Sequence, residues 1–159
     1  MKSKPTLCCS IIDGGSDRNQ IDEKIIPLRH KVLRPGRPIE SCFFTDDRSE
    51  GAFHAIGMID NQVIAIASFH KDKFAFFPCQ NPYRLRGMAV DNQWQNLRLG
   101  EQLLNFCFSE LQKKNCDLLW CNAREKAFSF YSRVGFIAHG ELFDIPPVGL
   151  HKVLYKRLS

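Results

Sequence analysis

Residues 83–121 restrict the fold of this chain more than any other segment. Residues 83–90 are predicted to form a strand, and residues 99–114 carry apolar side chains along one helical stripe. A polar connection, 91–98, lies between them, and the run Leu-Leu-Trp-Cys at 118–121 is apolar throughout, as a central parallel strand would be. Strand, crossover helix and strand form a β-α-β unit, so the two strands are expected to be parallel.

Antiparallel strands and a first helix are expected before this unit. Residues 21–33 have the apolar spacing of a helix, with Pro27 as a possible break or restart. Two runs rich in β-branched and aromatic residues, 53–58 and 63–69, flank a short connection and predict a hairpin. Residues 71–82 are predicted to be a loop that carries an aromatic patch.

A second helix and two closing strands are expected after the unit. The helix is predicted at 125–133, where Gly135 ends it, and the strands at 136–143 and 150–158. The predicted order is helix, two or three antiparallel strands, then β-α-β-α-β-β. The predicted fold class is therefore α/β (α+β), with a single mixed, mostly antiparallel sheet flanked by helices.

Composition indicates one ordinary globular domain covering residues 1–159. Apolar residues make up 44% of the chain and charged residues 25%, which excludes a disordered chain. No apolar run approaches the roughly 20 residues that span a bilayer, and the apolar stretch at 6–12 is too short for a signal peptide. We therefore expect a cytoplasmic protein without a membrane segment.

The cysteines and histidines do not predict a metal site. The seven cysteines are odd in number and contain no C-x-x-C pair, so free thiols in a reducing compartment are expected, several of them buried. His54 and His139 stand singly in strand-like runs, without partners at ligand spacing.

The connection at 95–100, Gln-Asn-Leu-Arg-Leu-Gly, has features suited to phosphate. The first turn of a helix leaves unpaired N–H groups and carries partial positive charge, so it binds phosphate readily. Gly100 lacks a Cβ and would let a pyrophosphate approach the backbone, and Arg98 adds a planar donor fork. By itself this pattern is a weak signal, because a helix that starts after a strand near a glycine is common in ordinary strand-to-helix turns.

A second motif follows the strand at 118–121. Asn122 is predicted to lie at the end of that strand, and Ala127 and Tyr131 lie four residues apart on one face of the next helix. Gly135 and Phe136 follow. Taken alone, Tyr131 is more typical of a half-buried tyrosine in a core.

Together the two motifs resemble the GNAT superfamily of acyl-CoA N-acyltransferases. The phosphate motif of that family, Gln/Arg-x-x-Gly-x-Gly/Ala, is matched at Gln95 and Gly100, while Arg98 replaces its first glycine. Such a replacement is tolerable where the loop keeps a negative φ, and the guanidinium then helps to hold phosphate. The later motif, Asn-x4-Ala-x3-Tyr-x3-Gly-Phe, is matched at every position from Asn122 to Phe136.

The resemblance implies an N-acetyltransferase that uses acetyl-CoA as its acyl donor and needs no metal. It implies that the strand at 83–90 splays from its parallel neighbour, that pantetheine enters the gap, and that a primary amine attacks the thioester directly. Tyr131 would protonate the leaving thiolate, and a backbone N–H near Met88 or Val90 would stabilise the oxyanion. The implied coenzyme-binding residues are Met88, Ala89, Val90, Gln95, Asn96, Leu97, Arg98, Leu99, Gly100, Glu101, Asn122 and Ala127.

Several features are left open by the sequence. His70 and His151 are candidates for the general base, and water is a third; Cys121 is either a covalent acyl carrier or, with better odds, a small buried residue. The acceptor, a small-molecule or peptide amine, is expected between residues 29–47 and 143–151. The candidate charged residues in these two segments and on the predicted strand 136–143 are Arg29, Arg34, Arg37, Glu40, Glu141 and Asp144.

Two other functions and the assembly state are also left open. A catalytically weak acyl-CoA-binding sensor of the same fold is the alternative function. The net charge of +5 is dispersed and comes with no nucleic-acid-binding motif, so no nucleic-acid partner is predicted. The protein is expected to be a monomer or a homodimer.

Overall fold

A computed structural model describes residues 5–16 and 18–158. It contains one seven-stranded sheet with the strand order β1-β2-β3-β4-β5-β7-β6. The strands are β1 (Cys8–Asp13), β2 (Phe53–Ile59), β3 (Gln62–Lys71), β4 (Pro82–Val90), β5 (Leu118–Arg124), β6 (Ile137–Ile145) and β7 (Gly149–Arg157).

Three helical segments pack on this sheet. The first, α1 (residues 18–33), alternates short α-helical pieces with two π turns, Ile21–Ile25 and Arg29–Leu33. The second, α2 (Leu99–Lys113), and the third, α3 (Phe128–Arg133), are α-helical, and a 3₁₀ turn at Glu125–Ala127 precedes α3. Further 3₁₀ turns occur at Ile39–Cys42, Thr45–Arg48 and Asn92–Trp94.

The sheet is antiparallel except between β4 and β5, as the crossover predicts. That parallel ladder is short: only Pro82–Arg84 pair with Leu118–Trp120. Beyond it β4 stays paired with β3, and β5 stays paired with β7 as far as Arg124. The two strands therefore splay apart and leave a gap in the middle of the sheet.

The two faces of the sheet carry separate cores. On one face α2 packs through Leu103, Leu104, Cys107 and Leu111 against alternate residues of β2 to β5. On the other face α1 packs through Ile21, Ile25 and Leu28 against residues that include Ile66 and Ala89. The gap between β4 and β5 is thus open toward a helix on each side.

Most predicted elements are confirmed, with two corrections. β1 was not predicted: the run at 6–12 was considered only as a possible signal peptide, whereas Cys8–Asp13 form the edge strand of the sheet and pair antiparallel with β2. β5 runs to Arg124 rather than ending at Cys121, because β7 continues to pair with it, so Asn122 lies within the strand and not at its end.

The aromatic loop and the thiols follow the sequence prediction. Phe74 is buried and contacts Trp120 and Tyr155, while Phe76 is exposed. All seven cysteines are free, and Cys42, Cys107, Cys116 and Cys121 are buried. No helix within 5–16 and 18–158 is long and apolar enough to cross a membrane.

Candidate active site

A cavity of about 710 Å³ passes through the gap between β4 and β5. Its lining includes the N-terminal end of α2, the unpaired edge of β4, Tyr131 of α3, and residues on the α1 face such as Phe44 and His151. A second cavity, of about 760 Å³, lies between the loop at 78–80 and the C-terminal end of α2, and none of the predicted site residues lines it.

The end of the cavity at α2 presents free backbone N–H groups. The first helical hydrogen bond runs from the amide of Gln102 to the carbonyl of Arg98, at 3.2 Å. The amides of Leu99, Gly100 and Glu101 therefore precede the first bonded turn and are available to an anion.

Arg98 is the N-cap of α2 and adopts φ +61°, ψ +23°. The expectation of a negative φ at this position is wrong: the backbone keeps the left-handed conformation that a glycine here would adopt freely. An L-residue in this region costs about 1–2 kcal/mol. Asn96 is also left-handed, at φ +65°, and such alternation turns successive N–H groups toward one concave side.

Gly100 is fixed by packing as well as by its position at the helix start. A Cβ at this residue would lie 3.2 Å from the Cε atom of Met88 and 3.2 Å from the ring of Phe130. A side chain here would require the ends of Met88 and Phe130 to shift by a few tenths of an ångström. The glycine therefore keeps the helix N-terminus close to the strand edge that lines the same cavity.

Side-chain hydrogen bonds hold the loop between β4 and α2. Asp91 accepts a hydrogen bond from the backbone amide of Gln93 and forms an ion pair with Lys31 at 3.0 Å. Burial raises the pKa of Asp91, but these hydrogen bonds outweigh it, so the pKa is lowered overall. The side-chain amide of Gln95 donates to the backbone carbonyl of Val90 at 3.0 Å. Gln95 thus supports the loop from its own side chain.

The backbone N–H and C=O groups along β4 point alternately toward β3 and toward the gap. The amide of Asp91 donates to the carbonyl of Ile64 on β3, and Ala89 pairs with Ile66. Because backbone groups alternate along an antiparallel ladder, those of Met88 and Val90 face the gap. The carbonyl of Val90 is taken by Gln95, which leaves the two amides and the Met88 carbonyl free for a ligand.

Tyr131 is buried on the α2 face and lines the cavity. Its ring packs edge-on against Phe130 and Phe136, each with a centroid separation of 5.1 Å. Burial, with a smaller contribution from nearby Cys121, raises the pKa of the phenol well above 10, so the hydroxyl is protonated at neutral pH. Among the described residues the hydroxyl has no hydrogen-bond partner.

Asn122, Ala127 and Cys121 also line the cavity. Cys121 is on β5, and burial raises its pKa to about 12. A thiol that stays protonated is a poor nucleophile. This supports the interpretation of Cys121 as a small buried strand residue rather than an acyl carrier.

On the α1 face, Phe44 forms the floor of the cavity. The buried Arg29 donates to both carboxylate oxygens of Asp47, at 2.7 and 3.1 Å, and to the carbonyl of Cys42. Asp47 in turn accepts from the amide of Phe44 at 3.0 Å. The guanidinium of Arg29 also lies 3.9 Å from the Phe44 ring, so the ring is held from both its backbone and its face.

His151 and His70 have different surroundings. His151 lines the cavity, and its Nδ1 lies 2.7 Å from the carbonyl of Gly149. Since a carbonyl can only accept, Nδ1 is the donor of this hydrogen bond, and the tautomer that places its one proton there leaves Nε2 as an acceptor. His70 is buried outside the cavity, 3.6 Å from Asp46 and 3.5 Å from Asp72.

Most of the predicted coenzyme-binding residues line this one cavity, and Leu97 and Glu101 do not. Both predicted acceptor segments, 29–47 and 143–151, contribute to the lining. Of the charged candidates named in them and on the strand before, Arg34 alone lines the cavity: Arg29 is buried against Asp47, and Arg37, Glu40, Glu141 and Asp144 are not in the described lining. Sequence reasoning assigned no role to Phe44, Arg84, Arg86 or Arg124. Strand alternation, which puts the two β4 arginines on one face, is the signal that was available.

No cluster of three or more metal-ligating side chains occurs within residues 5–16 and 18–158. The lining of the cavity offers amides, guanidinium groups, a phenol and an imidazole. These groups suit an anionic coenzyme and a proton-transfer reaction.

Comparison with protein families matches residues 22–136 to the acetyltransferase (GNAT) family. The chain is 36% identical over 136 residues to an uncharacterized N-acetyltransferase of Bacillus subtilis (strain 168), YitI, covering 86% of this chain and 91% of the relative.

Solved structures share the fold at low identity. An acyl-CoA N-acyltransferase from Pseudomonas aeruginosa is 15% identical, with a TM-score of 0.72 over 95% of this chain and 99% of that one. An aminoglycoside 6'-N-acetyltransferase complexed with coenzyme A is 9% identical, with a TM-score of 0.69 over 96% and 97%.

Proposed function

This chain belongs to the acetyltransferase (GNAT) family and is an N-acetyltransferase, and on that premise we propose that it transfers an acetyl group from acetyl-CoA to a primary amine within a ternary complex. The family implies an acyl-CoA donor and an amine acceptor. The observation that carries the proposal is the single cavity through the splayed sheet, which joins the N-terminal amides of α2 to Tyr131 and to the α1 face.

In this proposal coenzyme A lies on the α2 side. Its pyrophosphate binds the amides of Leu99 and Gly100, with Arg98 adding charge, and its pantetheine arm pairs with Met88 and Val90 along the free edge of β4. The thioester carbonyl then lies beside an amide of that edge, which stabilises the oxyanion.

The acceptor enters from the α1 side and attacks the thioester carbon. A C–N bond forms, the oxyanion collapses, and the C–S bond breaks. His151 Nε2 takes the proton that the amine loses, and the Tyr131 hydroxyl gives a proton to the departing sulfur. The products are the N-acetyl amide and free coenzyme A, and solvent restores the two side chains. The raised pKa of Tyr131 keeps the phenol protonated before this step.

The experiment pairs coenzyme binding with turnover. Calorimetry with coenzyme A and chromatographic measurement of released coenzyme A across an amine panel are applied to wild type and to Tyr131→Phe. We expect turnover to fall about 100-fold or more, with the coenzyme Kd within twofold, because Phe keeps the ring packing on Phe130 and Phe136. Tyr155→Phe, which removes a hydroxyl outside the cavity, is the matched control and should turn over like wild type.

Each outcome has one meaning. Unchanged turnover in Tyr131→Phe removes this residue from the chemistry. Tight coenzyme binding without turnover on any amine favours the acyl-CoA sensor. No heat on adding coenzyme A or acetyl-CoA refutes the site as a whole.

A further inference from the structure

The lining of the cavity is strongly cationic. Among residues 5–16 and 18–158 this lining has no aspartate or glutamate and has seven basic side chains: Arg34, Arg84, Arg86, Arg98, Arg124, Lys126 and Arg133. Arg98 belongs to the start of α2, and Lys126 and Arg133 belong to the segment that carries Tyr131, so these three lie with the proposed coenzyme site. The other four lie on β4, on β5 and at the end of α1.

These four arginines share the α1 face of the gap. Leu85 and Ala123 belong to the core on the α2 face, so their neighbours Arg84, Arg86 and Arg124 face the other way by strand alternation. The guanidinium of Arg86 lies 4.2 Å from the centroid of the Phe44 ring, and that of Arg34 lies 5.4 Å from it. Arg124 donates to the carbonyl of Leu33, next to Arg34, at 3.4 Å.

Three of the four have no carboxylate partner among the described residues. Arg84 lies 3.6 Å from Asp72 and stacks on Trp120, and the neighbouring Arg29 is neutralised by Asp47. Arg34, Arg86 and Arg124 form no ion pair within residues 5–16 and 18–158. Partial burial, and then the positive charge of neighbouring arginines, lowers the pKa of Arg34 and of Arg86.

An arrangement of like charges on a half-buried wall is unfavourable unless an anion completes it. Guanidinium groups stacked on an aromatic ring are already ordered, and their planar forks match carboxylate or phosphate oxygens. A polycationic acceptor such as a polyamine would meet the same charges as repulsion.

Resting on the proposed function, we propose that the acceptor is a small amine that carries an anionic group, a carboxylate or a phosphate, bound by Arg34, Arg86 and Arg124 over the Phe44 ring. The anion fixes one end of the acceptor on the α1 side. The amine at the other end then reaches the thioester through the gap. Amino acids and amine phosphates are acceptors of this chemistry.

The test compares acceptors that differ in charge at one position. Amino acids are paired with their α-amides, β-alanine with β-alaninamide, and O-phosphoethanolamine with ethanolamine; spermidine is the polycation. Released coenzyme A is measured by chromatography, because Cys8 is an exposed thiol that would react with a thiol reagent. We expect kcat/KM to favour the anionic member of at least one pair by about 100-fold or more. The carboxylate and phosphate arms identify which anion is used.

Substitutions of the arginines test whether these residues cause the preference for anionic acceptors. Arg86→Gln and Arg34→Gln should lower the anionic-to-neutral ratio of kcat/KM at least about 10-fold, and Arg86→Lys should lose less because it keeps the charge. Arg18→Gln, which removes an exposed arginine on the first turn of α1, is the control and should keep the wild-type ratio. Thermal melts establish that each variant is folded.

A binding experiment tests the proposed anion site without requiring turnover. Wild type saturated with coenzyme A is titrated calorimetrically with glutarate, inorganic phosphate and neutral glutaramide. Saturable binding of one of the anions that Arg86→Gln weakens supports the proposal. Preference for neutral or cationic amines, or absence of anion binding together with absence of an anionic preference, overturns it. If Arg86→Gln loses as much affinity for coenzyme A as it loses for the small anions, the proposal is also overturned, because the arginines would then bind the coenzyme. A protein that binds these anions but not coenzyme A would refute the proposed function alone.

Discussion

His151 is held in one tautomer by a single backbone carbonyl. Its Nδ1–H donates to Gly149, and its backbone pairs with Arg124 across the β5–β7 ladder, so the ring lies on the acceptor side of the gap. Tyr131 lies on the coenzyme side. The two proton-transfer groups are therefore on opposite faces of the sheet, which matches the opposite directions in which the proposed reaction moves its protons.

Replacing His151 with Asn tests the base. Asn can still donate to the Gly149 carbonyl but has no counterpart of Nε2. We expect kcat/KM near pH 7 to fall about 100-fold, and the deficit to shrink at pH 9, because more of the amine is then deprotonated in solution. Initial rates across this pH range measure both effects. His139→Asn, outside the cavity, is the control, and a variant deficit that is independent of pH would assign His151 a positioning role.

Individual residues show what sequence reasoning could reach. Tyr131 and Gly100 were identified from motif spacing, because spacing on a helix determines which face a residue occupies. The left-handed backbone of Arg98 was not predictable from residue type, since most side chains disfavour it. The proximity of Arg34, Arg86 and Arg124 depends on three separate elements meeting, which local patterns do not encode.

The loop from Ile39 to Arg48 is the least regular element around the site. Apart from two 3₁₀ turns it has little structure of its own, and a buried ion pair between Arg29 and Asp47 ties it to α1. Ser68 and His54 extend this network on β3 and β2: Arg29 donates to Ser68, and His54 lies 2.7 Å from Ser68 and 2.9 Å from the Asp47 carbonyl. The position of Phe44 thus depends on four polar residues beneath it.

Asp47→Asn tests this dependence. The substitution keeps the shape of the side chain but leaves the Arg29 charge buried and unpaired, so we expect the free energy of unfolding to fall by about 3–5 kcal/mol. Urea denaturation measures the change, and limited proteolysis should cut residues 39–48 faster. Asp22→Asn, which breaks the exposed Arg48–Asp22 pair, is the matched control and should cost less than about 1 kcal/mol. Equal effects of the two substitutions would show that the buried pair does not hold the loop.

Elements whose apolar residues recur with a clear period were predicted from the sequence, but the irregularities of the elements were not. The stripe of α2 and the hairpin of β2 and β3 follow from apolar spacing, and the two-residue turn at Asp60 and Asn61 has positive φ at both positions, as such hairpins require. The π turns of α1 and the early end of the β4–β5 ladder arise from tertiary packing. The gap that makes the site was therefore implied by the family resemblance and could not be derived from the strand patterns.

At the scale of the whole molecule, the net charge of +5 was dispersed in sequence but is concentrated in space. In the part of the chain that the structure describes, seven basic side chains and no acidic side chain line one cavity. Such a field raises the local concentration of anionic ligands and speeds their association. Both the coenzyme and the proposed acceptor would benefit, and their association should weaken as ionic strength rises.

Two buried histidines make the stability of the fold depend on pH. Burial lowers the pKa of His54 and of His70 below 6.5, in His70 against the opposing influence of Asp46 and Asp72. The unfolded chain therefore binds more protons than the folded chain between pH 6.5 and the lower folded pKa values, so stability is present above pH 6.5 and is lost as pH falls below it. We expect the free energy of unfolding, measured in urea at pH 7.5, 6.5 and 5.5, to drop at the acidic end by at most about 1.4 kcal/mol per pH unit for each histidine. His54→Gln and His70→Gln should each flatten that slope, because each removes one of the two linked protons, and slopes identical to wild type in both variants would contradict this origin of the acid sensitivity.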